Sequence, residues 1–232
     1  MSKTVVIHQP DFLSYLGFFH RLLHADLYIV LDDVQFVKGT SQSWMNRDKI
    51  KTSNGEQWIT VNVKKAPSKT NINEILLSDT VNWRNQNLEI MKQNYKKSDY
   101  FKEVFPYIEE LYNKKFDKLS DLNLASIEML NKLFDIKIEI VFSSTLKTTK
   151  VKSERLVELL KQVNATHYLS GIGAKDYHDD KPFEEANIEV IWQDFKHPVY
   201  PQLHGEFIPY LSSIDLLFNC GIEKSREILR SI

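Results

Sequence analysis

A chain of 232 residues with 42% hydrophobic content is long enough to bury a sizeable core. Thirty basic side chains against thirty-one acidic ones leave a net charge of -1, without the basic excess typical of phosphate-backbone binders, so no nucleic-acid partner is expected. The single cysteine, Cys220, excludes an intrachain disulfide; apolar runs too short to span a bilayer and the lack of a leader pattern predict a cytoplasmic protein without membrane insertion.

The chain opens with Thr4–His8, an apolar strand that runs into Gln9-Pro10, where proline stops strand pairing. Gly17–Asp26 places Phe18 and Leu22 at helical spacing, a short crossover helix, and Leu27–Leu31 is a second apolar strand running into Asp32-Asp33-Val34-Gln35. Residues 43–63 read as an antiparallel hairpin excursion turning at Asn54-Gly55. Residues 81–134 carry helical spacing in three segments, punctuated near Ser98-Asp99, at Pro106 and at Asp117–Asp121, with Ser120 as an N-cap. Strands return at Lys137–Phe142, Thr166–Leu169 and Ile188–Trp192, with a helix at Ser153–Val163. Two helices, Leu211–Asn219 and Ile222–Leu229, close the chain around Gly221. This alternation predicts a single α/β domain over residues 1–232, with a mostly parallel Rossmann-like sheet, the hairpin and the helical insertion.

In open α/β sheets ligands bind at the carboxyl ends of the strands, which places His8, Gln9, Asp32, Asp33 and Gln35 around one crevice. His8 and Asp33 are the candidate acid–base groups, because an imidazole or a carboxylate at that position can take a proton from an amine or hydroxyl. Successive strand residues face opposite ways, so at most one of Asp32 and Asp33 enters the crevice and the other caps or is solvated. Trp44, Asn46 and Arg47 combine a stacking surface, an amide and a guanidinium, suited to a ligand with a ring and an anionic group or equally to an aromatic core plug. Ser170-Gly171-Ile172-Gly173-Ala174-Lys175 follows a strand, and its glycines allow backbone amides to approach an anion, although it is neither a Walker A loop nor a dinucleotide fingerprint. His197 and Gln202 sit in a proline-bracketed loop that holds side chains still. No metal-ligand spacing is present: His20 and His24 stand i to i+4 without a completing glutamate, and Cys220 reads as a structural thiol.

These segments carry a family likeness. Ile7-His8-Gln9-Pro10, Leu16-Gly17-Phe18-Phe19, Ala25-Asp26, Leu31-Asp32-Asp33-Val34-Gln35, Trp44-x-Asn46-Arg47, Tyr168-Leu169-Ser170-Gly171-x-Gly173-Ala174-Lys175 and Leu211-Ser212-x-Ile214-Asp215-Leu216-Leu217-Phe218-Asn219 closely resemble the WbqC-like protein family, in order along nearly the whole chain. The resemblance implies a bacterial protein of surface-polysaccharide (O-antigen) biosynthesis, moving a small acyl or aminoacyl group such as glycine onto an amino sugar. The substrate is then a nucleotide- or lipid-linked sugar. Ser14-Tyr15 stand where the family has Pro-Trp, and Met45 and Asp48 where it has amides, which puts substrate contacts near those positions in doubt.

A weaker likeness is to HIGH-type nucleotidyltransferases and pantothenate-synthetase-like ligases, which would bring ATP and Mg²⁺. Their His-x-Gly-His helix start is replaced here by Leu16-Gly17-Phe18. Three functions follow as expectations: a transferase, with His8 or Asp33 as base, the Ser170–Lys175 loop and Arg47 on an anion, and His197 in a second proton-transfer or orienting role; a carboxylate-activating ligase; and a non-catalytic binding protein of the same pathway.

Overall fold

Strand β1 (Thr4–His8) buries Val5, Val6 and Ile7 in succession, and β2 (Leu27–Val30) buries all four of its residues. Continuous apolar runs without alternation mark strands covered on both faces. The computed structural model describes residues 2–37 and 43–232. Between these strands runs α1 (Leu16–Leu23), whose buried face carries Leu16, Phe18, Phe19 and Leu22. After the antiparallel pair β3 (Arg47–Thr52) and β4 (Gly55–Thr60) come α2 (Trp83–Tyr95), α3 (Phe101–Asn113) and α4 (Leu119–Phe134). The alternation resumes with β5 (Glu139–Phe142), α5 (Lys152–Gln162), β6 (His167–Ser170), α6 (Lys181–Glu185), β7 (Glu189–Trp192) and α7 (Ile214–Arg230).

The main sheet has the order β5-β2-β1-β6-β7, and every neighbouring pair is parallel. The chain builds outward from β1 to one side, then returns to β1 and builds to the other, as in a doubly wound Rossmann sheet. On one face Val6, Tyr28, Val30 and Leu169 share a core with α1, α4, α7 and the β3–β4 hairpin. On the other, Val5, Ile7, Leu27, Ile29 and Tyr168 pack against Val157, Leu160 and Phe183 of α5 and α6.

Two local expectations need correction. Pro106 does not break the helical segment but lies inside α3, where burial of Val104, Phe105, Ile108, Leu111 and Tyr112 at about 1.5–3 kcal/mol each outweighs the roughly 3 kcal/mol proline penalty. Ser120 is not an N-cap: Lys118 holds that position, and Ser120 is buried within α4 beside Asp121. The hairpin turns as expected, with Gly55 at φ +95° directly after the Ser53-Asn54 corner. Gly221, at φ +75°, separates the two helical halves of α7. Its missing side chain also makes room for the Tyr100 ring, 2.5 Å from where a Cβ would stand.

Candidate functional site

The place where the chain reverses its building direction is also where the sheet opens. The β1–β2 ladder extends to His8↔Val30 and the β6–β7 ladder to Ser170↔Trp192, but β1 and β6 pair only through Thr4↔His167 and Val5↔Tyr168. Beyond Val5 the two central strands no longer bond to each other. Their carboxyl ends therefore leave a gap in the hydrogen-bond ladder at the switch point, where ligands of such sheets sit.

The residues from 9 to 15 after β1 form the front of that gap and are pinned from elsewhere in the chain. Ser126 Oγ accepts from Leu13 N–H, Ser212 and Ser213 donate to the carbonyls of Leu13 and Ser14, and Tyr15 bridges to Ser212. Leu13 is held at φ +45°, an unfavourable region for a branched side chain that persists only where the surroundings over-determine it. Asn123 donates to both Pro10 O and Met45 O, and Phe12 N–H to Trp44 O, so the Trp44 segment is stitched to the exit of β1.

Within this frame His8 Nε2 lies 3.1 Å from Asp11 Oδ2. An ionised carboxylate only accepts, so Nε2 is the donor in this contact, and in the neutral ring Nδ1 then keeps a lone pair. The His8 side chain is 29% exposed and Asp11 13%, open enough for a substrate to reach. Tyr28 O–H donates to the carbonyls of His8 and Gln9 and fixes the end of the strand. Gln9, half-buried, has no side-chain hydrogen bond among the described residues.

Asp11 and Arg21 are the participants that motif reading missed. Arg21 lies on α1 one turn after Gly17 and three residues after Phe18, within the apolar arc of that helix. A charge in such an arc is the signal that would have found it. Tyr15 folds back over α1, and its ring atom Cε2 is 2.4 Å from where a Cβ of Gly17 would stand. Burial raises the Tyr15 hydroxyl pKa, the Arg21 charge opposes this, and Asp11 and Tyr210 add to it.

The other expected residues divide. Asp32 is 5% exposed; its carboxylate accepts from Ser143 Oγ, Ser144 N, Ser144 Oγ and Asn73 Nδ2, so it ties β2 to the turn after β5. Asp33 bonds to Ser143 and pairs with Arg155 at 2.6 Å. Burial alone would raise its pKa, but the Ser143 and Arg155 hydrogen bonds and the Arg155 charge hold it below the ordinary carboxylate value. A carboxylate so held is a poor base. Gln35 is exposed, its backbone bridging to Asn71.

Trp44 packs on Trp58 with centroids 5.3 Å apart, Arg47 stacks over the same Trp58 ring at 4.1 Å, and Asn46 turns inward to bond Val61 O. Trp44 and Arg47 thus meet on the Trp58 ring, while Asn46 is engaged by the backbone. Asp48 is deeply buried, and burial drives its pKa well above the usual value. A protonated Asp48 carries an O–H and a C=O and so reproduces the hydrogen-bonding pattern of an amide.

Ser170 is buried and donates to Tyr168 O–H at 3.4 Å, whereas Gly173 and Lys175 are exposed on a single 3-10 turn, Ile172–Tyr177. Neither Gly171 nor Gly173 adopts a positive φ. His197 donates Nδ1–H to Pro198 O, and its Nε2 is buried without a partner; burial lowers its pKa and keeps the ring neutral. It connects to Tyr15 through aromatic neighbours, by way of Tyr210 at 5.1 and then 6.4 Å and of Phe195 at 5.8 and then 6.0 Å. Gln202 bonds Ile208 and the buried Asp215, which Tyr95 and Tyr200 also serve, and so braces the loop rather than facing the gap.

Along the same sheet edge lies a mainly apolar groove of about 370 Å³, walled by Leu31, Val34, Leu156, Tyr168, Ser170 and Tyr177 among others. Among the described residues no three His, Cys, Asp or Glu side chains cluster so as to hold a metal ion, and no helix is long and apolar enough to cross a membrane.

A parallel sheet with Rossmann strand order and a histidine–carboxylate pair at its switch point define an α/β protein with polar groups at the carboxyl edge of its sheet. More particularly, the chain belongs to the WbqC-like protein family, whose model matches residues 9–227. It is 34% identical over 224 residues to the uncharacterized protein Rv1507c of Mycobacterium tuberculosis, covering 95% of each chain. No solved structure matches it significantly.

Proposed function

We propose that this protein is a transferase of bacterial surface-polysaccharide (O-antigen) assembly, moving a small acyl or aminoacyl group onto the amine of a nucleotide- or lipid-linked amino sugar. The observation that carries the reading is the His8–Asp11 pair at the open end of β1. An amine attacking an acyl carbonyl must shed a proton, which His8 Nδ1 takes in the neutral ring; as the tetrahedral adduct collapses the acyl–carrier bond breaks, and the leaving carrier, a thiolate for a thioester donor, takes that proton back from His8. Asp11 stabilises the imidazolium, as a carboxylate does for a catalytic histidine. Asp33 is left out of the base role because Arg155 already holds its charge. His197 orients the aromatic chain that ends at Tyr15.

The test is to incubate the purified protein with amino-sugar nucleotides and a panel of acyl thioesters, and to follow acylated product by mass spectrometry for wild type, His8→Gln and Asp11→Asn. Product from wild type that falls by about 10²–10⁴-fold in His8→Gln supports the assignment. Undiminished turnover in a folded His8→Gln protein removes it. The carboxylate-activating reading gains from the strand order, because doubly wound sheets hold nucleotides at this edge. Exchange of pyrophosphate into ATP, dependent on a carboxylic acid, would favour it. A protein active in neither assay, whose His8→Gln variant leaves polysaccharide composition unchanged in cells, is a binding protein instead.

A further inference from the structure

Arg21 is 5% exposed, yet no carboxylate, carbonyl or hydroxyl among the described residues accepts from its guanidinium, and Nε is sealed from solvent without a partner. A buried arginine in a folded protein is ordinarily paired, because an uncompensated buried charge costs several kcal/mol. The placement of this one is built. Side chains on a helix lean toward its N-terminus, so the Arg21 stem runs back along α1 toward the carboxyl edge of the sheet. There Nη1 lies 2.7 Å from the point where a Cβ on Gly171 would stand, so a side chain at 171 would push the guanidinium aside. Gly171 directly follows β6, at the end where β6 has parted from β1. Arg21 is also close enough to the Tyr15, Tyr28 and Tyr168 hydroxyls for its charge to act on each of them. Tyr28 is committed to backbone carbonyls, whereas the Tyr15 hydroxyl has no hydrogen-bond partner among the described residues.

We propose that the gap between the ends of β1 and β6 is a binding site for an oxyanion, a phosphoryl or carboxylate group of a ligand, held by the Arg21 guanidinium beneath Gly171 with the Tyr15 hydroxyl as a second donor. The planar fork of arginine matches both groups by paired hydrogen bonds, and in so dry a setting each such bond is strong. The role of Gly171 is then to clear space for a guanidinium, not to present backbone amides to an anion. The site holds whether or not a group is transferred at His8.

The protein is titrated at constant ionic strength with inorganic phosphate, pyrophosphate and acetate, with chloride as the control. The thermal midpoint and the NMR signal of the Arg21 Nε–H, assigned by its loss in Arg21→Lys, are followed. The expected result is a saturable response to at least one probe, weakened tenfold or more in Arg21→Met and in Gly171→Ala and partly kept in Arg21→Lys. Response to phosphate or pyrophosphate but not acetate identifies a phosphoryl ligand, and the reverse a carboxylate. Without any probe, Arg21→Met should melt no lower than wild type, since it removes an unpaired buried charge while keeping most of the stem. If no probe shifts the wild-type Nε–H signal, or if Arg21→Met melts lower yet binds the probes as wild type does, the proposal is overturned. Should Arg21→Met fail to fold, the wild-type Nε–H titration and Gly171→Ala still decide it.

Discussion

Strands β1 and β2 lie side by side in the sheet, and each delivers a short polar cluster to its carboxyl edge, yet the two clusters are in opposite states. At the end of β2, Asp32 accepts four hydrogen bonds and Asp33 is joined to Ser143 and Arg155. At the end of β1, His8 has one partner and a free ring nitrogen, Gln9 has no side-chain partner among the described residues, and the Arg21 guanidinium behind them has none. The difference teaches that an acidic pair after an apolar strand is not by itself a site. What separates a clasp from a site is whether the protein has already supplied every partner: a satisfied group holds the fold, and an unsatisfied one is kept for something else.

That contrast can be broken by substitution. The largest effect belongs to the β1 edge: Asp11→Asn should lower transfer by about 10²–10⁴-fold while changing the unfolding free energy from urea titration by less than about 1 kcal/mol. Activity loss that merely tracks unfolding would make His8–Asp11 another clasp. Asp32→Ala should do the reverse, costing about 3 kcal/mol of stability because Ser144 N–H, Ser144 Oγ and Asn73 lose their acceptor while Ser143 keeps Asp33, with activity per folded molecule unchanged. A fully stable Asp32→Ala protein would contradict the clasp reading. Gly17→Ala should destabilise by about 1–2 kcal/mol, since its Cβ meets the Tyr15 ring, and Tyr15→Ala in the same chain should relieve most of that cost. Additive losses in that double-mutant cycle would mean the ring is not what Gly17 accommodates.

The smallest effect is a pH dependence. The folded-state pKa of Asp33 lies below its ordinary 3.8, so the stability it adds is present above that value and lost as pH falls through the lower, folded pKa. The gap in melting midpoint between wild type and Asp33→Asn should therefore hold steady from pH 7 to about 5 and shrink below about 4. A gap that widens with acid would mean that Arg155 does not hold the carboxylate.

The strands were legible because each is a run of branched or aromatic residues whose burial needs only neighbours along the chain, and the opening strand–helix–strand unit follows from the handedness of parallel connections. Pro106 misled because its local penalty is outweighed by the buried face of α3, which only packing reveals. His8 and the crevice were legible as positions, because strand ends in such sheets are where ligands bind. The division of labour between them was not. Glycines 17 and 171 stood out as motif residues, but their function is to admit Tyr15 and Arg21, and a one-dimensional pattern cannot show what would clash with an absent Cβ.

By itself the sequence determined which segments become strands and helices, that the sheet is mainly parallel, and that polar groups gather at the ends of β1 and β2, all consequences of apolar spacing within a few residues. Only the tertiary structure decided which of those groups are spent. Asp32 meets Ser143 from 111 positions away and Asp33 meets Arg155 from 122, while Arg21, in an otherwise apolar arc, meets no acceptor among the described residues. Hydrogen-bond partners so distant along the chain are brought together by the packing of the whole sheet, and that packing leaves open the gap between β1 and β6.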